Sequence, residues 1–404
     1  MKILMLTPYL PYPPASGGQI RTYNLLKYLS RNNEITLISL YKNKNTKKDA
    51  SYLKSFCKKI YLCKRAEKPW QIGNILKSIF SLLPFLIVRN YSSEAKKEIK
   101  ELLEKENFDV IHAETFYIMP HIPETKIPIL LVEQTIEYQV YQHFVSTMPI
   151  FIRAFFFLDI LKLKFWETYY WKKATLVSSV SQQDKLMIKR RVLNINPVII
   201  PNGAGDEMFV DSLVKKNLEK PSILFVGNFY WLQNVEAASY LINRLFPRIK
   251  DKIKDVLLII AGQNALDKIK YNGNGGIKII DIPQNDSNLV KKLYHEATLF
   301  IAPIFGPGGT RLKILAAMAS GLPVIATKIG VEGLKTEDKK HVLIAKTTEE
   351  FVRQTEVVLK DKNLYDTLRK NSYQLAKSEF SWESISKQLE IVYKNIINSH
   401  ENRH

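Results

Sequence analysis

The chain has 404 residues, of which 46% are hydrophobic and 24% are charged, and its formal net charge at pH 7 is +20. This composition is that of an ordinary globular protein and excludes a disordered or fibrous chain. The length exceeds the usual size of a single hydrophobic core, so two domains are expected.

The first half of the chain alternates strand patterns with helical ones. KILMLT at 2–7 predicts a strand, PYLPYPPASGG a loop, QIRTYNLLKYLS a helix and EITLISLY a second strand. Further strands are predicted at KIYLC, DVIHA, ILLVEQ and TLVSSV. Strands separated by helices usually pair in parallel, so an open parallel sheet is expected. PVIIPNGAGDEMF and the Lys-rich stretch to Lys220 are expected to form a connection.

The second half repeats this alternation. Strands are predicted at ILFVGN, VLLIIAG, IKII, TLFIAP, PVIAT and VLIA, with helices such as NVEAASYLINRLF and NLVKKLYHEA between them. Short, continuously apolar strands flanked by helices are typical of a sheet that is covered on both faces. The sequence therefore predicts two doubly wound, Rossmann-like α/β domains.

A glycine loop and a helix start stand out at IAPIFGPGGTRLKILAAMASGLP, residues 301–323. Thr310 is the predicted N-cap, Gly321 the predicted C′ residue and Pro323 a stop, so a helix is expected from about residue 311 to 320. Its unpaired N–H groups, with Arg311 and Lys313, suit a phosphate. The alternative is a solvated helix start that is merely basic.

Other polar and glycine residues follow the predicted strands. Ligands of doubly wound sheets bind beyond the carboxyl ends of the strands. The candidates at such ends are Gly17, Gly18, His112, Glu114, Gly227, Asn228, Gly262, Gln263 and the segment from Gly308 through Gly309 to Lys313.

The positive charge is concentrated in the first half, where residues 1–200 hold 30 Lys and Arg against 16 Asp and Glu. This excess indicates an anionic partner: phospholipid, a lipid pyrophosphate or nucleic acid. Two amphipathic stretches, KPWQIGNILKSIFSLLPFLIVRNY and IFIRAFFFLDILKLKFWETYYWKK, suit docking on an anionic membrane. Buried helices whose lysines reach the surface would explain the two stretches as well.

Neither a secretory signal nor a membrane span is predicted. The apolar stretch after Met1 is too short for a signal peptide and lacks a cleavage site, so a cytoplasmic location is expected. The longest apolar stretch, residues 79–88, is about half of a membrane span and contains Pro84. Cys57 and Cys63 complete no metal-site pattern and are expected to be reduced structural thiols.

Five segments in this order resemble a family 4 glycosyltransferase with the two-domain GT-B architecture. They are SGGQIRTYNLL, IPNGAGDEMF, FVGNFYWLQNVEAA, GGTRLKILAAMASGLPVIAT and SWESISKQLEIVY. The resemblance covers nearly the whole chain. It implies two Rossmann-like domains facing across a cleft: 1–199, which binds the acceptor, and 200–380, which binds the nucleotide sugar. A last helix in 381–404 would cross back to the first domain.

The resemblance also implies a reaction. Such enzymes transfer a sugar from a nucleotide diphosphate donor to a glycan or lipid-linked acceptor, with retention of configuration and without a bound metal or other cofactor. Arg311 and Lys313 match the basic pair near the donor pyrophosphate, and His112 lies where relatives often carry a histidine that contacts the donor sugar. The alternative for His112 and the neighbouring Glu114 is a hydrogen-bonded structural role. Glu133 and Glu137 are further cleft candidates.

Two positions depart from the family pattern. Many members carry two glutamates eight residues apart, near the donor sugar and the ribose, where this chain has Gly308 and Ala316. Gly308 fits the branch with a GGTRLK loop. Ala316 marks either a lost ribose contact or an introduced substitution. Asn228 replaces an arginine that often follows FVG.

Three other functions compete with this one. A glycosyltransferase scaffold that binds a nucleotide or glycan without turnover is the main alternative, because Ala316 removes a carboxylate. A dinucleotide oxidoreductase ranks far below, since no GxGxxG joins a strand to a helix. Nucleic-acid binding rests on charge alone and is not expected.

Overall fold

The computed structural model describes residues 1–42, 44–68, 70–271, 273, 275–283, 286–306 and 312–401. The chain divides into two compact units. The first contains Met1–Pro201 together with Ser386–His404, and the second contains Asn202–Ile385. The last helix therefore begins in the second unit and continues in the first.

The first unit is built on a seven-stranded sheet. Its strands are β1 (Lys2–Thr7), β2 (Glu34–Tyr41), β3 (Lys59–Lys64), β4 (Val110–Glu114), β5 (Ile129–Glu133), β6 (Leu176–Ser179) and β7 (Val198–Ile199). All pairs are parallel, in the order β3-β2-β1-β4-β5-β6-β7. Ile3, Leu4 and Met5 are fully buried, so side chains on both faces of β1 are covered.

The second unit has a six-stranded sheet, which is also entirely parallel. Its strands are β8 (Ser222–Val226), β9 (Leu257–Gly262), β10 (Ile277–Asp281), β11 (Leu299–Ala302), β12 (Val324–Ala326) and β13 (Leu343–Ile344). Their order is β10-β9-β8-β11-β12-β13. The two sheets confirm the predicted α/β class with two doubly wound domains.

Helices connect these strands. In the first half of the chain they are α1 (Gly17–Leu29), α2 (Ile72–Phe80), α3 (Phe85–Asn90), α4 (Ser93–Lys105), α5 (Glu137–Ser146), α6 (Ile150–Lys173) and α7 (Gln182–Arg191). The later helices are α8 (Leu232–Tyr240), α9 (Phe246–Lys252), α10 (Ala265–Lys268), α11 (Ser287–Glu296), α12 (Leu312–Ala319), α13 (Thr348–Lys360), α14 (Lys362–Glu379) and α15 (Trp382–Glu401). One π-helical turn, Leu241–Leu245, joins α8 to α9.

Two predictions of local structure were wrong. PVII was expected to begin a connection, but Val198 and Ile199 pair with Ser178 and Ser179 at the edge of the first sheet. A strand of two residues is too short to give a periodic pattern. Helix α1 also begins at Gly17, before the predicted start, because Ser16 precedes it in extended conformation and contacts the side chain of Gln19.

The end of α12 confirms the prediction for Gly321. Its φ is +64°, in the left-handed region that favours glycine. The Gly321 N–H donates to the Met318 carbonyl at 3.0 Å, and the Leu322 N–H donates to the Ala317 carbonyl at 2.9 Å. This is the bonding pattern of a Schellman motif.

Cys57 and Cys63 are buried free thiols. Burial raises the pKa of each to about 12, as expected for structural rather than reactive thiols. Among the residues that the structure describes, no helix is both long enough and apolar enough to cross a membrane.

Candidate functional site

Each sheet reverses its strand order once, and the loops on either side of such a reversal open a crevice at the carboxyl ends of the strands. In the second sheet the reversal lies between β8 and β11, because β9 and β10 extend from β8 in the other direction. In the first sheet it lies between β1 and β4. The predicted site residues fall near both reversals.

The loop after β8 brings three predicted donor-binding residues together. The Gly227 N–H donates to the Ala261 carbonyl at 3.0 Å, so the loop continues along β9. The Asn228 side chain then donates from Nδ2 to Oε1 of Gln263 at 2.8 Å. Gly227, Asn228 and Gln263 therefore form one polar edge beyond β8 and β9.

Gly262 lets these two strand ends approach closely. Its φ is +146°, and a Cβ built there would lie only 1.7 Å from the Gly227 carbonyl oxygen. Any side chain at Gly262 would therefore push the loop away. This glycine sets the position of Gly227 and Asn228.

Lys313 lies in the first turn of α12, on the other side of the reversal. Its Nζ donates to Oδ1 of Asn234 at 2.5 Å and lies 4.7 Å from the centre of the Phe225 ring. Asn234 also donates from Nδ2 to the Asn228 carbonyl at 2.7 Å. The lysine that follows β11 is thus bonded to a side chain that holds the loop after β8.

Ala316 lies one turn further along α12. It is half-buried and packs against the core of the second unit. Its single methyl group offers no hydrogen-bonding atom. The predicted residues Gly308, Gly309, Thr310 and Arg311 lie outside the described residues.

In the first unit, Gly17 and Gly18 open α1 after β1. Gly17 is exposed and Gly18 is half-buried. A Cβ on Gly18 would lie 2.3 Å from the Tyr9 hydroxyl and 2.9 Å from Oε1 of Gln134. Close packing against Tyr9 and Gln134 therefore explains why position 18 is a glycine, without reference to any ligand.

His112 and Glu114 end β4 as part of a buried polar chain. Both side chains are fully buried. His112 is bonded through Nδ1 to the Tyr393 hydroxyl at 2.5 Å and through Nε2 to Oε1 of Glu114 at 2.9 Å. Gln134 donates to Oε2 of Glu114 at 2.6 Å and to the Tyr9 hydroxyl at 2.9 Å. The hydrogen-bonded structural alternative describes this geometry.

Glu114 carries a negative charge inside this chain of bonds. Burial alone would raise its pKa, but the bond from His112, the charge of Arg21 and the Gln134 amide together hold that pKa below its ordinary value. Arg21 is itself buried, with Nε 3.9 Å from Glu114, and donates to the Pro201 carbonyl at 2.8 Å. The arginine and the carboxylate therefore compensate each other's charge.

The cleft candidates Glu133 and Glu137 lie at the end of β5 and the start of α5. Glu133 is fully buried and accepts from Trp171 Nε1 at 2.8 Å. Burial and the nearby Glu167 raise its pKa well above the ordinary range. Glu137 is half-buried, and burial raises its pKa too. Glu167 accepts from the backbone N–H groups of Glu137 and Tyr138 and so caps α5.

Sequence reasoning missed several residues of these networks, and three of them illustrate the reason. Asn234 lies six residues after Asn228, in a segment with a helical pattern. Polar residues are common in such a segment, so nothing in the sequence marked Asn234 as part of a site. Gln134 is the last residue of the predicted strand ILLVEQ, and strand ends are the positions that marked the other candidates. Tyr393 continues the apolar spacing of the last helix, four residues after Leu389, and a buried tyrosine hydroxyl usually needs a partner.

Comparison with known sequences gives two matches. The model of the family described as Glycosyl transferases group 1 matches residues 220–361, which lie in the second unit. An uncharacterized 44.6 kDa protein in the cps region of Klebsiella pneumoniae is 26% identical over 363 residues. That match covers 85% of this chain and 87% of the relative.

Solved structures resemble the whole chain. Sucrose-phosphate synthase from Thermosynechococcus elongatus superposes with a TM-score of 0.70 at 16% identity, covering 99% of this chain and 100% of that one. Anabaena HepE in complex with UDP-glucose gives a TM-score of 0.64 at 15% identity, covering 98% and 100%. A glycosyltransferase is the class of function that these comparisons support. The chain has the GT-B fold, and its second unit carries the sequence match to the glycosyl transferases group 1 family.

Proposed function

We propose that the chain is a retaining, metal-independent glycosyltransferase of family 4, in the branch with a GGTRLK donor loop. It would transfer a hexose from a nucleotide diphosphate sugar to a glycan or lipid-linked acceptor. The observation that carries this proposal is Lys313, held by Asn234 at the reversal of the second sheet, just after the glycine loop.

The proposed donor is a UDP sugar. Anabaena HepE was solved in complex with UDP-glucose, which makes this the first donor to test. The relative from a cps region fits a role in polysaccharide biosynthesis. We propose that the second unit binds the donor and the first unit binds the acceptor.

In the proposed reaction, the protein must stabilise the leaving diphosphate. Negative charge grows on the diphosphate as the bond to the sugar breaks, and fixed positive groups stabilise that charge in the transition state. Lys313, the start of α12 and the predicted Arg311 would supply it. The family resemblance predicts a catalytic role for His112 and Glu114. Their buried hydrogen bonds favour the structural alternative, in which they hold the end of β4.

A catalytically impaired binder is the second candidate. Ala316 favours it, because a methyl group accepts no bond from a ribose hydroxyl. Such a protein would bind a nucleotide diphosphate at the same edge of the second sheet and release none from a sugar donor.

The test is release of nucleotide diphosphate from a panel of nucleotide sugars, with and without a metal chelator. We expect release from at least one UDP sugar, unaffected by chelation and lost in Lys313→Ala. Lys370→Ala, which removes an exposed lysine of the same unit, is the matched control and should keep activity. Binding without release would establish the binder instead. Absence of both binding and release would refute both candidates.

Retention is tested separately, on the product. With an acceptor that supports transfer, proton NMR of the new glycosidic bond should give the same anomeric configuration as the donor. An inverted product would overturn the proposed mechanism while leaving the glycosyltransferase activity intact.

A further inference from the structure

A large apolar surface of the first unit is exposed in the part of the chain that the structure describes. It consists of two stripes, which we call the α2–α6 face. On α2 and the loop after it lie Ile72, Leu76, Ile79, Phe80 and Leu82, and on α6 lie Phe157, Leu158, Leu161, Phe165 and Tyr169. Phe80 is 84% exposed and Leu82 is 83% exposed. Exposed apolar patches of this kind mark interaction sites.

The two stripes lie side by side because hydrogen bonds join α6 to the end of α2. Ser78 donates to Oδ1 of Asp159 at 3.1 Å. Lys162 donates to the carbonyls of Ser78 and Ser81, each at 2.7 Å. Trp166 Nε1 donates to the Leu82 carbonyl at 2.8 Å. The exposed side chains near Phe80 and Leu82 therefore continue into the stripe on α6.

The charges around this face are almost all positive. Residues 68–91 and 150–173 contain eight Lys and Arg but only two acidic residues, Asp159 and Glu167. Glu167 is fully buried. Asp159 is half-buried and also accepts from the Phe85 N–H at 2.8 Å. Neither carboxylate is free to oppose an anionic surface.

A groove beside α6 combines exposed apolar side chains with positive charge. It is lined by the apolar or aromatic side chains of Leu161, Phe165 and Tyr169 and by the basic residues Lys164, Lys172 and Arg191. Apolar and cationic groups in one groove match an anionic lipid, whose charged headgroup lies directly above apolar chains.

We propose that the α2–α6 face docks on the surface of an anionic lipid bilayer, with the apolar stripes inserted among the lipids and the lysines at the headgroups. A protein partner fits less well, because lysine is depleted in protein interfaces. Large apolar side chains flanked by Lys and Arg are instead typical of helices that lie in a bilayer surface. This proposal does not depend on the proposed enzymatic function, since docking requires no nucleotide sugar.

The test is co-sedimentation of the full chain with vesicles, either of phosphatidylcholine alone or of phosphatidylcholine with about 30% phosphatidylglycerol. We expect sedimentation with the anionic vesicles, much less with the neutral ones, and a loss as salt is raised. No sedimentation at low salt, or equal sedimentation with both vesicle types, would overturn the proposal.

Two sets of variants locate the surface. Phe80→Ser, Leu158→Ser and Phe165→Ser combined, and Lys164→Ala with Lys172→Ala, should each weaken binding to anionic vesicles about ten-fold or more. Ile391→Ser and the pair Lys97→Ala with Lys100→Ala are matched controls from exposed positions elsewhere in the first unit. Equal binding by the patch variants and the controls would refute the location.

A measurement on the protein with its apolar face unaltered does not depend on whether the variants fold. Trp70 lies just before α2, 53% exposed and stacked on Phe85. Brominated lipid should quench part of the tryptophan fluorescence, and Trp70→Phe should remove part of that quenching. Quenching that is absent would contradict the proposal. The proposal would also be contradicted if the chain formed a dimer in solution, the variants of the α2–α6 face dissociated this dimer, and no vesicle binding were seen. A second copy of the chain would then cover the face.

Discussion

Lys313 donates a hydrogen bond to the side-chain amide oxygen of Asn234. Because Asn234 is neutral, the bond to Oδ1 holds the ammonium in place without cancelling its charge. This bond therefore places no negative charge of its own beside the ammonium. The same asparagine holds the loop after β8, so one side chain fixes two parts of the candidate site.

Replacing this asparagine should therefore weaken anion binding. Asn234→Asp places a carboxylate against Lys313, and we expect about ten-fold weaker binding of a nucleotide diphosphate. Asn234→Ala should cause a smaller loss, because the lysine keeps its charge but loses its orientation. Calorimetry with UDP measures both effects, and uridine is the control ligand. Unchanged UDP affinity in the Asp variant would contradict this account of Lys313.

A substitution at Ala316 should have the opposite effect and strengthen nucleotide binding. A Glu in the second turn of α12 would lean back toward the start of the helix, where the nucleotide is proposed to lie. Two charge-assisted bonds to the ribose hydroxyls would tighten binding of a nucleotide diphosphate by about a hundred-fold in Ala316→Glu. Calorimetry with the 2′,3′-dideoxy analogue is the control, and a gain that persists with this analogue would exclude a ribose contact.

Glu133 should make stability depend on pH. Its raised pKa means that the folded chain keeps a proton that the unfolded chain releases above about pH 4.3, so stability falls as pH rises through that range toward the raised pKa. Glu133→Gln keeps an acceptor for Trp171 and removes this slope. We expect a melting temperature higher by a few degrees at about pH 8 and little changed at about pH 4. An equal effect at both pH values would show that the proton is not involved.

Single residues were predictable where their chemistry is local. Gly321 could be assigned from the sequence because a helix end needs a left-handed residue within a few positions. The partner of His112 could not, because Tyr393 lies 281 residues away in the chain. Lys313 was identified from the glycine loop, whereas Asn234 became visible only when the strand order brought α8 and α12 together.

At the scale of elements, α15 completes the first unit. Leu389, Tyr393 and Ile396 are buried along one side of this helix. Glu390 accepts from the side chain of Asn33 at 2.7 Å, and Tyr393 is bonded to His112. The spacing of the apolar residues predicted that this helix needs a partner, and the structure identifies β4 and the turn after α1 among the parts of the first unit that it contacts.

Truncating one buried side chain tests this packing. Leu389→Ala should lower the free energy of unfolding by about 2 to 5 kcal/mol, because the residue is fully buried. Ile391→Ala, at a position 59% exposed on the same helix, should change it by less than about 0.5 kcal/mol. Denaturant unfolding compares the two. Equal effects would mean that α15 does not depend on its buried side.

The strands themselves were largely predictable, because continuous apolar runs between helices indicate buried parallel strands. The exception, β7, has only two residues and pairs at a sheet edge. Hydrophobic patterns also identified the segments of α2 and α6, but they could not separate exposed apolar side chains from buried ones. That distinction depends on which neighbours the fold supplies.

At the scale of the whole molecule, the basic excess and Lys313 of the predicted phosphate-binding motif belong to different units. The second unit carries Lys313 and the family match, whereas the first carries most of the positive charge and the α2–α6 face. The five motifs, in their order along the chain, resemble a family with the GT-B fold, and that resemblance predicted the architecture. The sequence does not specify the sugar, the acceptor or the linkage, since these depend on the shape of the assembled site.

Lys313 is proposed to hold the diphosphate of a donor nucleotide, and calorimetry of UDP and uridine binding measures this contact. Lys313→Ala should weaken UDP binding by about ten-fold or more, because a charge-assisted bond to phosphate contributes roughly 1.5 to 3 kcal/mol. Uridine binding should hardly change, and Lys370→Ala should match the unmodified chain for both ligands. Equal losses for UDP and uridine, or no loss for UDP, would show that Lys313 does not hold the diphosphate.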